Sequence, residues 1–196
     1  QVVLHFHGGN VGHNGGFMLG HLVDAGFQII TPDRPGYLGT PLKDNGSPEK
    51  QADLMAALLD KLGIDQVVVV GVSAGGPGAL QFVLRHSHRV HCLVLLSAIT
   101  ERTQLTDDQL SSTLGQLVMT RRFQNPAYFL IHQAMTRMTG LALQDFVRTE
   151  TTYSTRDGQR YIDKIMQDPE QMKQVHALAD AMVPALPRFA GVMNDL

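Results

Sequence analysis

Residues 67–80 read VVVVGVSAGGPGAL, four consecutive valines running into Gly71, Val72, Ser73, Ala74 and Gly75. An apolar run without polar alternation belongs to a strand covered on both faces, as in a parallel sheet with helices on either side. That strand ends in one hydroxyl held between glycines, and Pro77 to His86 then carries the composition of a helix. Strand, tight turn and helix are the setting in which G-x-S-x-G has chemical meaning. The serine must occupy a strained turn for its hydroxyl to project above the sheet, and side chains two residues either way would collide with neighbouring backbone. The helix that follows aims its N-terminal N–H groups and positive dipole end at the same spot, favouring an anion that develops there. The bland alternative is a serine that merely caps a helix.

Outward from this stretch, Val2 to Phe6 is a short apolar segment entering the glycine-rich HGGNVGHNGG, the pattern of a strand leading into a tight loop. Residues 16 to 25 read as a helix, and Phe27 to Thr31 as a second strand ended by Pro32 and the turn-rich DRPGYLGTP. Ser47 is suited to cap a helix with Pro48 in its first turn. Ala52, Met55, Leu58, Leu59 and Leu62 recur on one face of that helix, and Gly63 supplies an easy left-handed end. Gln66 to Val70 and Val90 to Leu96 make the third and fourth strands. The alternation predicts an α/β fold, mainly a parallel sheet flanked by helices, with right-handed crossovers.

After Ile99 the texture changes. Residues 100 to 190 carry helical patterns and hold six of the nine methionines, without a valine-rich strand. The expected organisation is one overall domain, with an α/β core over residues 1–99 and a helical cap inserted over residues 100–196. The chain opens on Gln1 directly into a strand and stops at Asn194-Asp195-Leu196 without any tailing-off in composition, so a segment of a longer protein is expected.

Composition narrows the function classes. At 196 residues and 43% hydrophobic, the chain is long enough to bury a core of its own. A net charge of -2 with scattered Lys, Arg, Asp and Glu leaves no basic stripe for a polyphosphate backbone, so nucleic acid is not the expected partner. Cys92 is the lone cysteine and lies in the apolar HCLVLLSA, which predicts a buried, inert thiol and a reducing, cytoplasmic setting. No apolar run approaches the ~20 residues of a membrane span.

A second loop joins the first. His7-Gly8-Gly9-Asn10 follows the opening strand, and acyl transfer at a serine needs a second N–H donor from a neighbouring strand end. Taken in order, HFHGGN, TPDRPGYLGTP, VVVVGVSAGG and RVHCLVLLSA resemble the oxyanion turn, the following loop, the nucleophile elbow and the next strand of the α/β-hydrolase superfamily. The resemblance covers roughly residues 1 to 100; beyond them, RFAGVMNDL looks like the segment that often precedes the return of the sheet. It implies a serine hydrolase acting on a small-molecule acyl substrate, with Ser73 as nucleophile and the backbone N–H groups of Ala74 and Gly9 as oxyanion hole. It implies no cofactor and no metal. It also implies that the acid and the histidine that complete the triad follow beyond Leu196, since the family order is serine, acid, histidine. His5 and His7 read as structural, His132 and His176 as residues of the cap or surface, and Glu101 as an acid position in some relatives.

Other readings stay open. GVSAGG approximates the dinucleotide fingerprint G-x-G-x-x-G, but Ser73 replaces the glycine that lets backbone approach a pyrophosphate, and no acidic residue follows in VHCLVLLS. His5-x-His7 and His86-x-His88 with His91 lack the ligand set of a metal site. Two alternatives keep the fold: a catalytically inactive ligand-binding protein, and a peptidase or C–C bond hydrolase. The methionines, with Phe123, Tyr128, Phe129, Phe146 and Phe189, would give the cap an adaptable apolar lining, which favours a small or medium apolar ester.

Overall fold

Four apolar segments form one parallel sheet in the computed structural model, which describes residues 1–101 and 113–196. The strands are β1 (Val2–Phe6), β2 (Gln28–Ile30), β3 (Val67–Val72) and β4 (Val90–Leu96), in spatial order β2-β1-β3-β4. Val3 lies beside both Ile29 and Val68, so β1 and β3 are the central pair. The chain leaves β1 to one side, to β2, and returns on the other side as β3. The carboxyl ends of β1 and β3 therefore flank a topological switch point, where open α/β sheets bind their ligands.

Alternation along the strands sorts the side chains between two layers. Leu4 and Phe6 of β1 join Val67 and Val69 of β3 under helices α2 (Pro48–Leu62) and α3 (Gly76–Arg85), where Ala52, Met55, Leu59, Ala79 and Phe82 complete the larger core. Val3, Val70 and Val72 point the other way and pack on Leu19. Ser47 caps α2 by accepting the Lys50 N–H at 3.3 Å, and Gly63 ends it in the left-handed region at φ 65°. Arg89 secures the same end, donating to the carbonyls of Ile64 and Asp65, both at 2.6 Å.

Two expectations are corrected. Residues 16 to 25 do not form one helix: a 3-10 segment, His13–Leu19, precedes a short α1, Gly20–Asp24. Gly15 and Gly16 lie inside the first segment, and glycine is a poor helix former. Cys92 is exposed rather than buried. It lies on β4, which pairs only with β3 among the described residues, and Val94, Leu95 and Leu96 are exposed with it. A continuous apolar run means cover on both faces only where covering elements are present.

Beyond β4 the described residues are helical: α4 (Thr113–Met119), α5 (Gln124–Arg137), α6 (Thr139–Glu150), α7 (Thr155–Gln167), α8 (Pro169–Ala181) and α9 (Phe189–Asp195). Ser154 and Asp168 cap α7 and α8 with their side-chain oxygens. The helices are tied to the loop after β1 by Asn14, whose amide donates to the Ala181 carbonyl at 3.1 Å, and by Tyr128, whose hydroxyl donates to Asn10 Oδ1. None of the described helices is long and apolar enough to cross a membrane.

Candidate active site

Ser73 stands at the end of β3 with φ 46°, a left-handed conformation that L-residues seldom adopt. It opens a 3-10 turn, Ser73–Gly75, that feeds α3. The turn is wedged between two neighbours. A Cβ on Gly75 would overlap the Phe6 carbonyl oxygen and come within 2.7 Å of that of His7, so no larger residue fits against the end of β1. On the other side, the Ile99 N–H donates to the Ser73 carbonyl at 2.9 Å. Strain at a single serine, over-determined by its surroundings, is the mark of a functional turn.

The loop after β1 meets this turn. A Cβ on Gly8 would lie 3.3 Å from Ser73 Cβ, and one on Gly9 would lie 3.9 Å from Ala74 Cβ. The three residues singled out in the sequence, Ser73, Ala74 and Gly9, are thus neighbours. His7 fixes the loop from beneath: its Nδ1 donates to the Gly8 carbonyl at 2.7 Å while its Nε2 accepts the Arg34 backbone N–H at 3.0 Å. These partners select the neutral Nδ1–H tautomer. A trans peptide points its C=O and N–H in opposite directions, so the Gly9 N–H faces away from His7. It has no acceptor among the described residues, and neither does the Ser73 hydroxyl have a partner there.

Beneath the loop lies a charge network. Arg34, 1% exposed, donates from Nε to the His7 carbonyl at 2.8 Å and from its two terminal nitrogens to Asp195 at 2.8 and 2.6 Å. Tyr37 stacks under the guanidinium, 4.8 Å from ring centre to Cζ, and its hydroxyl donates to the same carboxylate. Burial raises the Tyr37 pKa and keeps that hydroxyl protonated. Arg34 and Asp195 escaped sequence reasoning. One sits in a turn-rich loop and the other on a late helix 161 residues away, a separation that no spacing rule connects.

The remaining histidines fall elsewhere. His5 is buried on β1 with Nδ1 3.2 Å from Thr31 Oγ1, and burial, then the charge of Arg34, lowers its pKa to about 4. His7 is held well below 6.5, again chiefly by burial. His132 bonds Asp180 at 2.8 Å within the helical region, and His86, ending α3, bonds Asp53 at 2.9 Å. Glu101 is exposed. No group of three or more His, Cys, Asp or Glu is placed to hold a metal among the described residues.

The buried neutral histidines set a pH dependence. The unfolded state takes up a proton near pH 6.5 and the folded state resists until about 4, so acidification through this window favours unfolding. His5 alone accounts for roughly 2 kcal/mol of lost stability by pH 5. Urea titrations at pH 7 and pH 5, a span above the carboxylate range, should show that loss; equal midpoints at the two pH values would count against it.

A parallel sheet with a strained serine at the turn after its central strand, and a glycine loop from the neighbouring strand against it, has the strand–turn–helix arrangement of α/β proteins that carry a G-x-S-x-G turn. Residues 1–141 match the family model described as alpha/beta hydrolase fold, and the chain belongs to that family. It is 35% identical over 116 residues to YcgS of Bacillus subtilis (strain 168), named an uncharacterized hydrolase, a match covering 59% of this chain and 40% of that protein. It is 33% identical over 102 residues to the 2-hydroxy-6-oxo-6-phenylhexa-2,4-dienoate hydrolase of Burkholderia cepacia, over 49% of this chain and 36% of that one. The structure of an alpha/beta hydrolase fold protein from Nakamurella multipartita superposes with a TM-score of 0.78 at 33% identity, covering 99% of this chain and 65% of that one. The chain thus spans less than two thirds of the length of these relatives.

Proposed function

We propose that the whole protein is a serine hydrolase that cleaves the ester bond of a small or medium, mostly apolar substrate through an acyl-enzyme at Ser73. The observation that carries this reading is the strained Ser73 turn lying directly against the Gly8-Gly9 loop. Ser73 Oγ attacks the acyl carbon and gives its proton to a histidine. The oxyanion is held by the N–H groups of Ala74 and Gly9, the alcohol leaves with the proton returned by that histidine, and water then releases the acid. The Ser73 hydroxyl has no partner among the described residues, which leaves it free for the histidine that this mechanism requires. Residues 100–196, of which 102–112 lie outside the described residues, act as a cap over the site, and no metal or cofactor takes part.

A C–C bond hydrolase is the second reading, favoured by the match to the dienoate hydrolase of Burkholderia cepacia. The test is labelling of the full-length protein with a fluorophosphonate probe, followed by peptide mapping. A label on Ser73 is the expected outcome, and an unlabelled Ser73 in folded protein would sink the proposal. Turnover of acyl esters against vinylogous diketones then separates the two readings.

A further inference from the structure

Arg188 ends the 3-10 turn Leu186–Arg188 just before α9, and it is only 3% exposed. A buried guanidinium stays charged, and leaving it without an anion costs several kcal/mol, so such groups are found paired. Among the described residues Arg188 is not paired. No Asp or Glu among the described residues lies within 4 Å of it. One terminal nitrogen donates to the Pro184 carbonyl, while the buried Nε has no partner among the described residues. The acid whose charge acts on it is Asp33, which is already occupied by the backbone N–H of His13 at 2.7 Å and by His13 Nδ1 at 2.9 Å.

The unused edge has a shape. Nη1 is taken by Pro184, leaving the Nε–Nη2 edge, whose two parallel donors match the two oxygens of a carboxylate. The surroundings locate it as well. The carbonyl of Pro187, the residue before Arg188, accepts the Leu38 N–H at 2.9 Å, next to Tyr37, and the charge of Arg188 acts on Tyr128, Tyr37 and His7. Tyr128 is bonded to Asn10, the residue after Gly9, and the Tyr37 hydroxyl lies 3.9 Å from where a Gly9 Cβ would be. Both phenolic protons are committed elsewhere, to Asn10 and Asp195. The open guanidinium edge therefore belongs to the corner that holds the Gly8-Gly9 loop.

We propose that Arg188 binds a carboxylate of the substrate, so that the ester cleaved at Ser73 is one whose molecule also carries a free acid group. This rests on the reading of Ser73 as nucleophile, and it narrows the substrate to a half-ester or an ester of a hydroxy acid. Burial of the arginine makes the charge selective, because a neutral group placed there leaves the cation unpaired.

The test uses the full-length protein and two kinds of measurement. In the first, adipate is titrated by calorimetry against wild type, R188Q and R188K, with folding of each checked by circular dichroism. Binding to wild type, weakened tenfold or more in R188Q and less in R188K, is the expected result. No binding to wild type, or equal binding to all three, overturns the proposal, and sulfate binding as tightly as adipate marks a general anion site and overturns it too. In the second, hydrolysis of monomethyl adipate is compared with that of the uncharged methyl hexanoate. R188Q should raise KM at least tenfold for the charged ester and less than twofold for the neutral one. A change shared equally by both esters overturns it. Should R188Q fail to fold, R188K and the wild-type preference between the two esters still decide. Adipate binding requires no turnover, so failure of the Ser73 mechanism and failure of this proposal are told apart.

Discussion

Ser73→Ala in the full-length protein is expected to lower ester turnover by about 10³-fold or more while leaving the fold and its stability nearly unchanged. The size follows from the proposed role: without Oγ there is no acyl-enzyme, and only the oxyanion donors and substrate positioning remain. The small structural effect follows from geometry. Alanine keeps the Cβ already accommodated 3.3 Å from the position of a Gly8 side chain, and the φ of 46° strains alanine about as much as serine. The Ser73 hydroxyl makes no hydrogen bond among the described residues, so nothing structural there is lost with it. Steady-state kinetics on a short-chain acyl ester, with a thermal melt of the same preparation, makes the measurement. Retained turnover in the folded variant would refute Ser73 as nucleophile, and a lowered Tm without loss of activity would recast it as a structural turn residue.

The fold was legible wherever one local rule sufficed. The continuous valines of β3, the Ser47 cap with Pro48 behind it and the left-handed Gly63 each follow from a few adjacent residues, and the parallel order follows from their alternation. The elbow was legible for the same reason, since the glycines are dictated by contacts of the turn with the ends of β1 and β4. What was not legible depends on partners far away in sequence. Cys92 reads as buried from its neighbours, but exposure on β4 is decided by which strands and helices cover it. Arg34 reads as one more polar residue of a turn, although at 1% exposure it is a buried charge paired with Asp195. Arg188 sits among Leu, Pro and Phe, and only the lack of a counter-charge among the described residues sets it apart.

Asp195→Asn is expected to cost about 3–5 kcal/mol of stability, because it strands the Arg34 cation in a buried site. Arg34 makes its only ion pair with Asp195, through both terminal nitrogens, and has nowhere to reach solvent at 1% exposure. For a domain of this size the loss corresponds to a Tm lower by about 10 °C. Arg34 holds the His7 carbonyl with its guanidinium and the His7 ring that fixes Gly8 with its backbone N–H, so the loop beside Ser73 loosens along with the network. Under the proposed mechanism turnover should therefore fall through kcat more than through KM, since misplacing the proposed oxyanion donors weakens the transition state more than the bound ester. The double variant Arg34→Met with Asp195→Leu removes the orphaned charge and should recover most of the stability, but not the activity, because no donor then reaches the His7 carbonyl. Chemical denaturation and kinetics of the single and double variants in the full-length protein measure both effects. If Asp195→Asn is as stable as wild type, the pair does not hold the loop; if the double variant regains full kcat, the loop keeps its place without Arg34.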